Sequence, residues 1–181
     1  LVADLPMVQK IRLRQIALGE LTFDEDMNVG FAESCTSTKI QACQMILERH
    51  KGEQVVFYTD SKRFAYVLGK RIGGAVWTGD LTGKARTDLK ADFIAGRVRH
   101  LVAVIAAFGT GTDGIHRAAN VEVWCNKSFN DVDNQQCEGR LNRRGQEAHE
   151  IVRYELTAPD SGDTLDFERL LTNRRRLQQS L

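Results

Sequence analysis

The 181-residue sequence lacks several things that narrow what it can be. It has no apolar run near the ~18 residues that cross a bilayer as a helix. The opening LVADLPMVQK shows no basic stretch followed by an apolar core, so a secretory signal is not expected and a cytoplasmic or nuclear place is. It also has no initiator Met, and reads as a fragment or a processed product. Cysteine is sparse: Cys35, Cys43, Cys125 and Cys137 form no CxxC pair, and no His stands at zinc-finger spacing. A metal site is therefore not expected, and buried free thiols in a reducing compartment are. Neither charge dominates, with 25 Lys and Arg against 24 Asp and Glu, so only a local basic stripe can favour nucleic acid. A phosphate-binding GxxxxGK[ST] loop is missing too. Gly79–Lys84, GDLTGK, has three residues between its glycines where four are required, and Ala85 stands where the magnesium-binding hydroxyl belongs.

The chain does carry a regular alternation. Gln54–Thr59, Ala75–Thr78, His100–Ala106, Val121–Cys125 and Ile151–Leu156 are short runs rich in apolar, β-branched and aromatic residues, and read as buried strands. Between them lie amphipathic helices. Thr36–Thr38 offers a cap for the Ile40, Cys43, Ile46, Leu47 face, and Asp60 for the Phe64, Leu68, Ile72 face, which Gly73-Gly74 ends. Thr82 caps a third helix, with Leu89 and Phe93 inside and Gly96 at its end. Strands buried on both faces and separated by helices predict a parallel α/β sheet. Ligands of such sheets bind beyond the carboxyl ends of the strands. That selects Thr59-Asp60, Thr78-Gly79, Phe108–Gly114 and Asn126–Asn130.

Ahead of this alternation, Pro6 starts a helix with a Val8, Ile11, Gln15, Leu18 stripe, ended by Gly19. LTF and VGFA then read as two short strands about DEDMN, whose carboxylates are those of a solvated turn rather than a magnesium box. After the last strand, APDSGDT leads to a helix over Leu165–Gln179, with Arg174–Arg176 on a solvated face.

Two stretches can carry chemistry. Phe129–Gln146, FNDVDNQQCEGRLNRRGQ, reads as a helix capped by Asp131 or Asp133 and closed by Gly145. Gln136, Arg140 and Arg143 stand at i, i+4 and i+7, within about 60° of one another at about 100° per residue. Gly139 leaves clearance beside them, while Cys137 and Leu141 point inward. Guanidinium groups are permanently charged forks that match phosphate oxygens, so this face suits a polyphosphate; the alternative is a solvated basic face. The second stretch, Phe108–Ile115 or FGTGTDGI, places glycines where backbone N–H groups can approach a phosphate closely. Its Asp113 can accept from a ribose hydroxyl or hold an arginine. Arginines for phosphates without a phosphate cradle describe one half of a divided ATP site.

Nearly the whole chain resembles the second RecA-like lobe of superfamily 2 helicases and DNA translocases, in particular the Swi/Snf-like branch. RLRQIA (Arg12–Ala17) and SCTSTKIQACQMIL (Ser34–Leu47) are similar to that branch's lead-in. QVVFYTDSKRFAYVL (Gln54–Leu68) resembles motif IV, and TGDLTGKARTDLKADF (Thr78–Phe93) resembles motif IVa, with Gly79 and Arg86 in place. AAFGTGTDGIHRAANVEVW (Ala106–Trp124) resembles motif V, and QCEGRLNRRGQ (Gln136–Gln146) resembles motif VI. Motif V departs from the branch: Phe108 replaces a Gly and Asp113 an Asn. The long insertions of chromatin remodellers are missing, which points to a compact bacterial or viral enzyme.

The resemblance implies a lead-in over residues 1–36, a lobe over 37–181, and an ATP-Mg²⁺ site completed by an N-terminal lobe of the same polypeptide. Arg143 and Arg140 would act as arginine fingers, with Gln136 orienting them and Gly111 and Asp113 along the nucleotide's edge. Thr59, Arg63, Thr78 and Thr110 would hold a nucleic-acid backbone, DNA expected and RNA an alternative. Arg86 would brace that loop or cap its own helix, and Lys84, Lys90, Arg97 and Arg99 form a patch read as solvated. The fragment alone is expected to be a monomer without activity. Two competing readings are a non-catalytic nucleic-acid-binding or docking module with this fold, and an unrelated flavodoxin-like domain.

Overall fold

The computed structural model describes residues 6–26, 28–32, 34–109, 112–159, 161 and 163. In chain order the elements are helix α1 (Pro6–Leu18), strands β1 (Leu21–Phe23) and β2 (Val29–Phe31), and α2 (Thr38–Arg49). Then come β3 (Val55–Thr59), α3 (Lys62–Ile72), β4 (Ala75–Trp77), α4 (Gly83–Ile94) and β5 (His100–Val104). A single helical turn, α5 (Ile105–Phe108), a 3₁₀ turn (Ile115–Arg117), β6 (Val121–Trp124), α6 (Asp131–Leu141) and β7 (Val152–Glu155) follow.

The five predicted strands form one parallel sheet in the order β4-β5-β3-β6-β7. Every residue of the central β3 is buried, because its two side-chain faces meet different helix layers. Val55 and Phe57 pack with Cys43 of α2 and Phe64 and Leu68 of α3. Val56 and Tyr58 pack with Phe93 of α4, Phe108 of α5 and Cys137 and Leu141 of α6. Burying each such large side chain contributes about 1.5–3 kcal/mol. Numbered from β3, the order is 2-3-1-4-5. A flavodoxin-like sheet runs 2-1-3-4-5, so that alternative is excluded. The chain leaves β3 toward one side of the sheet, and β6 lies against its other side, which makes the β3/β6 crevice a topological switch point.

Local chemistry explains the helix starts. Ser37 Oγ accepts from Ile40 N–H, and Thr82 Oγ1 accepts from Ala85 N–H, both at 3.3 Å. GDLTGK is therefore a turn feeding a capped helix. The cap of α3 is Ser61, whose Oγ accepts from Phe64 N–H, and not Asp60 as its position suggests. Asp60 is held elsewhere: it accepts from Asn126 Nδ2 and pairs with Arg14 at 3.1 Å. That pairing also corrects α1. Leu18 is buried as expected, but Val8 and Ile11 are exposed and Arg14 is buried in their stead. An arginine can bury its stem while its head meets a carboxylate and an aromatic face, here Phe129 at 3.9 Å.

β1 and β2 pair as an antiparallel hairpin. Asp24 closes its turn by accepting from Asn28 N–H at 2.7 Å and Asn28 Nδ2 at 3.0 Å, which holds its carboxyl below the usual range. β5 ends at Val104, short of Ala106, because the chain coils so that Phe108 can wedge between Tyr58 and Trp77 at 5.5 and 5.6 Å. At the far end, buried Lys39 of α2 donates to Cys125 O at 2.5 Å and pairs with Asp163. The helix expected over Leu165–Gln179, with Arg174–Arg176, lies outside the described residues.

Candidate functional site

The α6 helix is capped by Asn130, whose Oδ1 accepts from Val132 N–H at 3.1 Å, rather than by Asp131 or Asp133. Those two carboxylates fill the first turn, where the helix dipole favours them. Cys137 and Leu141 face the core as expected, and Cys137 Sγ lies 3.5 Å from Ile105 O. Burial pushes that thiol up to about 12, so it is inert at neutral pH.

The helix stops at Leu141, before Arg143. Arg143 therefore stands beyond the helix rather than two turns along its face. A turn carries it back: Arg143 N–H donates to Leu141 O at 2.9 Å and Gln146 N–H to Arg143 O at 3.1 Å, and Gly145 takes φ +95°. The Gln146 side chain staples this turn down, donating to Ala119 O at 3.1 Å and Leu141 O at 3.4 Å.

The outcome for the guanidinium groups is still convergence. Arg140 Nη1 lies 3.2 Å from Asp113 Oδ1, and Arg143 Nη1 meets the same oxygen. Arg140 also donates to Gly109 O. Asp113 is 70% exposed, Arg143 44% and Arg140 17%, so the clasp opens to solvent at the carboxyl edge of the sheet. Arg143, and then Arg140, hold the Asp113 carboxyl below its ordinary 3.8. A carboxylate held down in this way contributes stability above that value and loses it as pH falls through the lowered one.

Gln136 is exposed on the same helix, and its side-chain oxygen lies against Gly109, where an added Cβ would collide with it. Only the end of a flexible side chain obstructs that Cβ. Gly109→Ala should therefore leave the melting temperature within a degree or two of wild type, an effect of about 0.5 kcal/mol or less. It should nonetheless displace Gln136 and lower any activity this edge supports, a contrast that a thermal melt beside a turnover assay reads directly. Gly139 has nothing within 4 Å of its would-be Cβ, so the clearance beside Arg140 is real.

The second set lies beyond β3 and β4. Thr59 is buried; its hydroxyl donates to Asn126 Oδ1 at 2.8 Å and accepts from Ser61 N–H at 3.2 Å. Thr78 is buried as well, and its hydroxyl accepts from Asp80 N–H at 3.3 Å. Both hydroxyls thus shape their own loops. Arg86 braces the second loop, donating to Gly79 O at 3.0 Å. Lys62 pairs with Asp80 across the two loops, whereas Arg63 is exposed and has no carboxylate partner among the described residues. Thr110 and Gly111 lie outside the described residues.

The site residues thus form two groups on one edge: Asp113, Gln136, Arg140 and Arg143 in one, Thr59, Arg63 and Thr78 in the other. Sequence reasoning placed Asp60 and Asn126 at this edge but missed Arg14 and the contacts by which the three knit α1 to the switch point.

No family model matches the sequence, and no curated protein does. Among solved structures, the fold is similar to the crystal structure of the C-terminal part of the Fun30 ATPase domain. The TM-score is 0.64 at 21% identity, over 74% of this chain and 45% of that one. The likeness establishes the fold alone, a RecA-like α/β sheet flanked by helices, and this chain spans less than half of that structure's length.

Proposed function

We propose that this chain is the C-terminal motor lobe of an ATP-dependent helicase or translocase of the Swi/Snf-like kind, acting on DNA. The observation that carries the reading is the meeting of Arg140 and Arg143 on one exposed carboxylate oxygen at the carboxyl edge of the sheet. The donor set fits a nucleotide's phosphates: two planar forks converge, and the group that holds them is solvated and weakly bound, so it can yield.

ATP, when bound, supplies the phosphoryl group for transfer to water. This chain's residues bind and orient. Arg143 and Arg140 neutralise charge on the terminal phosphates. Gln136 sits against Gly109 to keep that end of α6 in place, and Asp113 holds both arginines together before the nucleotide arrives. A first lobe of the same polypeptide supplies the phosphate-cradling loop and the carboxylates for Mg²⁺. Arg63 and the loops shaped by Thr59 and Thr78 hold the DNA backbone without reading its sequence.

The test is ATP hydrolysis with and without DNA, on this chain alone and on the full polypeptide. The expected result is none from the chain alone and DNA-stimulated turnover from the whole. A full polypeptide with no first lobe, or hydrolysis indifferent to DNA, overturns the proposal.

A further inference from the structure

A cleft of about 470 Å³ lies between α1 and the loop that follows β3. Its lining takes Arg12 and Arg14 from α1, Asn28 and Val29 from the hairpin, and Asp60 and Arg63 from the end of β3 and the start of α3. It stands over the β3/β6 switch point, where open parallel sheets place their ligands.

Most charges here are already matched. Arg14 pairs with Asp60 and stacks on Phe129, and Lys62 pairs with Asp80. Two are not. Arg12 donates to the neutral Gln15 side chain at 2.9 Å and pairs with no carboxylate among the described residues. Arg63 likewise pairs with no carboxylate among the described residues. Two uncompensated guanidinium groups, from separate elements, line one cleft. The 11-residue α3 also begins there, and its N-terminus adds partial positive charge.

We infer that the cleft is a seat for the phosphodiester backbone of a nucleic-acid strand, with Arg12 of α1 as its second wall and a contact additional to Arg63. The inference rests on the nucleic-acid reading above and extends it to a helix outside the loops that reading uses. α1 then acts as a rail on which the strand lies. Its anchor is Arg14, and its contact is Arg12. Asp60 serves to seat the helix and does not face the strand as a free charge.

The experiment is a fluorescence-anisotropy titration of the 181-residue chain with a labelled single-stranded oligonucleotide and with a labelled duplex, across a salt series. Wild type is compared with Arg12→Gln, Arg12→Lys, Arg63→Gln and Arg49→Gln. Arg49 is exposed on the last turn of α2, at the opposite edge of the sheet. Losing one phosphate contact on duplex flattens the log K against log salt slope by about 0.9, a loss of about eightfold at 0.1 M salt. Arg12→Gln and Arg63→Gln should each show this, Arg12→Lys should keep the slope, and Arg49→Gln should match wild type. If Arg12→Gln binds like wild type while Arg63→Gln weakens, the second wall is refuted and the motor-lobe reading stands. If Arg12→Lys and Arg12→Gln fall together with a lowered melting temperature, Arg12 only packs α1, and the inference is again refuted. If no form binds in a salt-dependent way, both readings fail.

Discussion

Replacing Arg143 with alanine in the full polypeptide is expected to lower DNA-stimulated ATP hydrolysis by a hundredfold or more. Arginine fingers contribute roughly 10³–10⁵ in rate in related phosphoryl transfers, equivalent to about 4–7 kcal/mol of barrier. Arg143 is suited to that role by where the helix stops. Standing beyond Leu141 in a turn pinned by Gln146, it has a fixed backbone and a half-exposed head. Arg140 is the more buried of the two and is tied to Gly109 O as well, so it has less freedom to reach outward. Arg143→Lys should recover little, because an ammonium lacks the planar fork. Stability should hardly change, since the Arg143–Asp113 pair is exposed and solvent screens it. Kinetics beside a thermal melt separates a missing finger from a damaged fold.

The second large effect is on stability. Lys39→Ala or Asp163→Ala should each destabilise the fold by about 3–5 kcal/mol, because each leaves an uncompensated charge in a buried place. Lys39 is 4% exposed, and besides Asp163 its ammonium serves Cys125 O at the end of β6. Asp163 in turn accepts from Ala158 N–H at 3.2 Å. The pair thus ties the chain beyond β7 to α2 and to the end of β6. In the Lys39→Ala, Asp163→Ala double variant neither charge is left unpaired, so its cost should fall well below the sum of the two single variants. Urea unfolding of the four proteins measures the coupling. Purely additive costs would mean that the two side chains do not depend on each other.

The sheet was legible because its strands are short β-branched runs bounded by turn residues, and burial of both faces made the parallel arrangement follow. Caps at Ser37 and Thr82, and the helix stop at Gly73, followed from local chemistry as well. What stayed hidden depends on partners distant in sequence. Periodicity places Ile11 inward on α1, yet Arg14 is buried, because Asp60 and Phe129 wait for it across the fold. Asp60 looks like a cap until Asn126 and Arg14 claim it. Thr59 and Thr78 stand at loop ends as expected, but their hydroxyls serve Asn126, Ser61 and Asp80 within the protein. The pattern Gln136, Arg140, Arg143 has helical spacing, yet the last turn unwinds. The convergence on Asp113 survives because the loop after β5 reaches both arginines regardless.

The most direct test of the divided ATP site compares binding of ADP with binding of ADP plus aluminium fluoride, which mimics the phosphoryl group in transfer, by the full polypeptide and its Arg143→Ala variant. Wild type should bind the mimic far more tightly than ADP, and Arg143→Ala should lose that preference while its ADP affinity stays put. A preference that survives the substitution intact would contradict the account, and would leave Arg140 and Arg143 as surface charge.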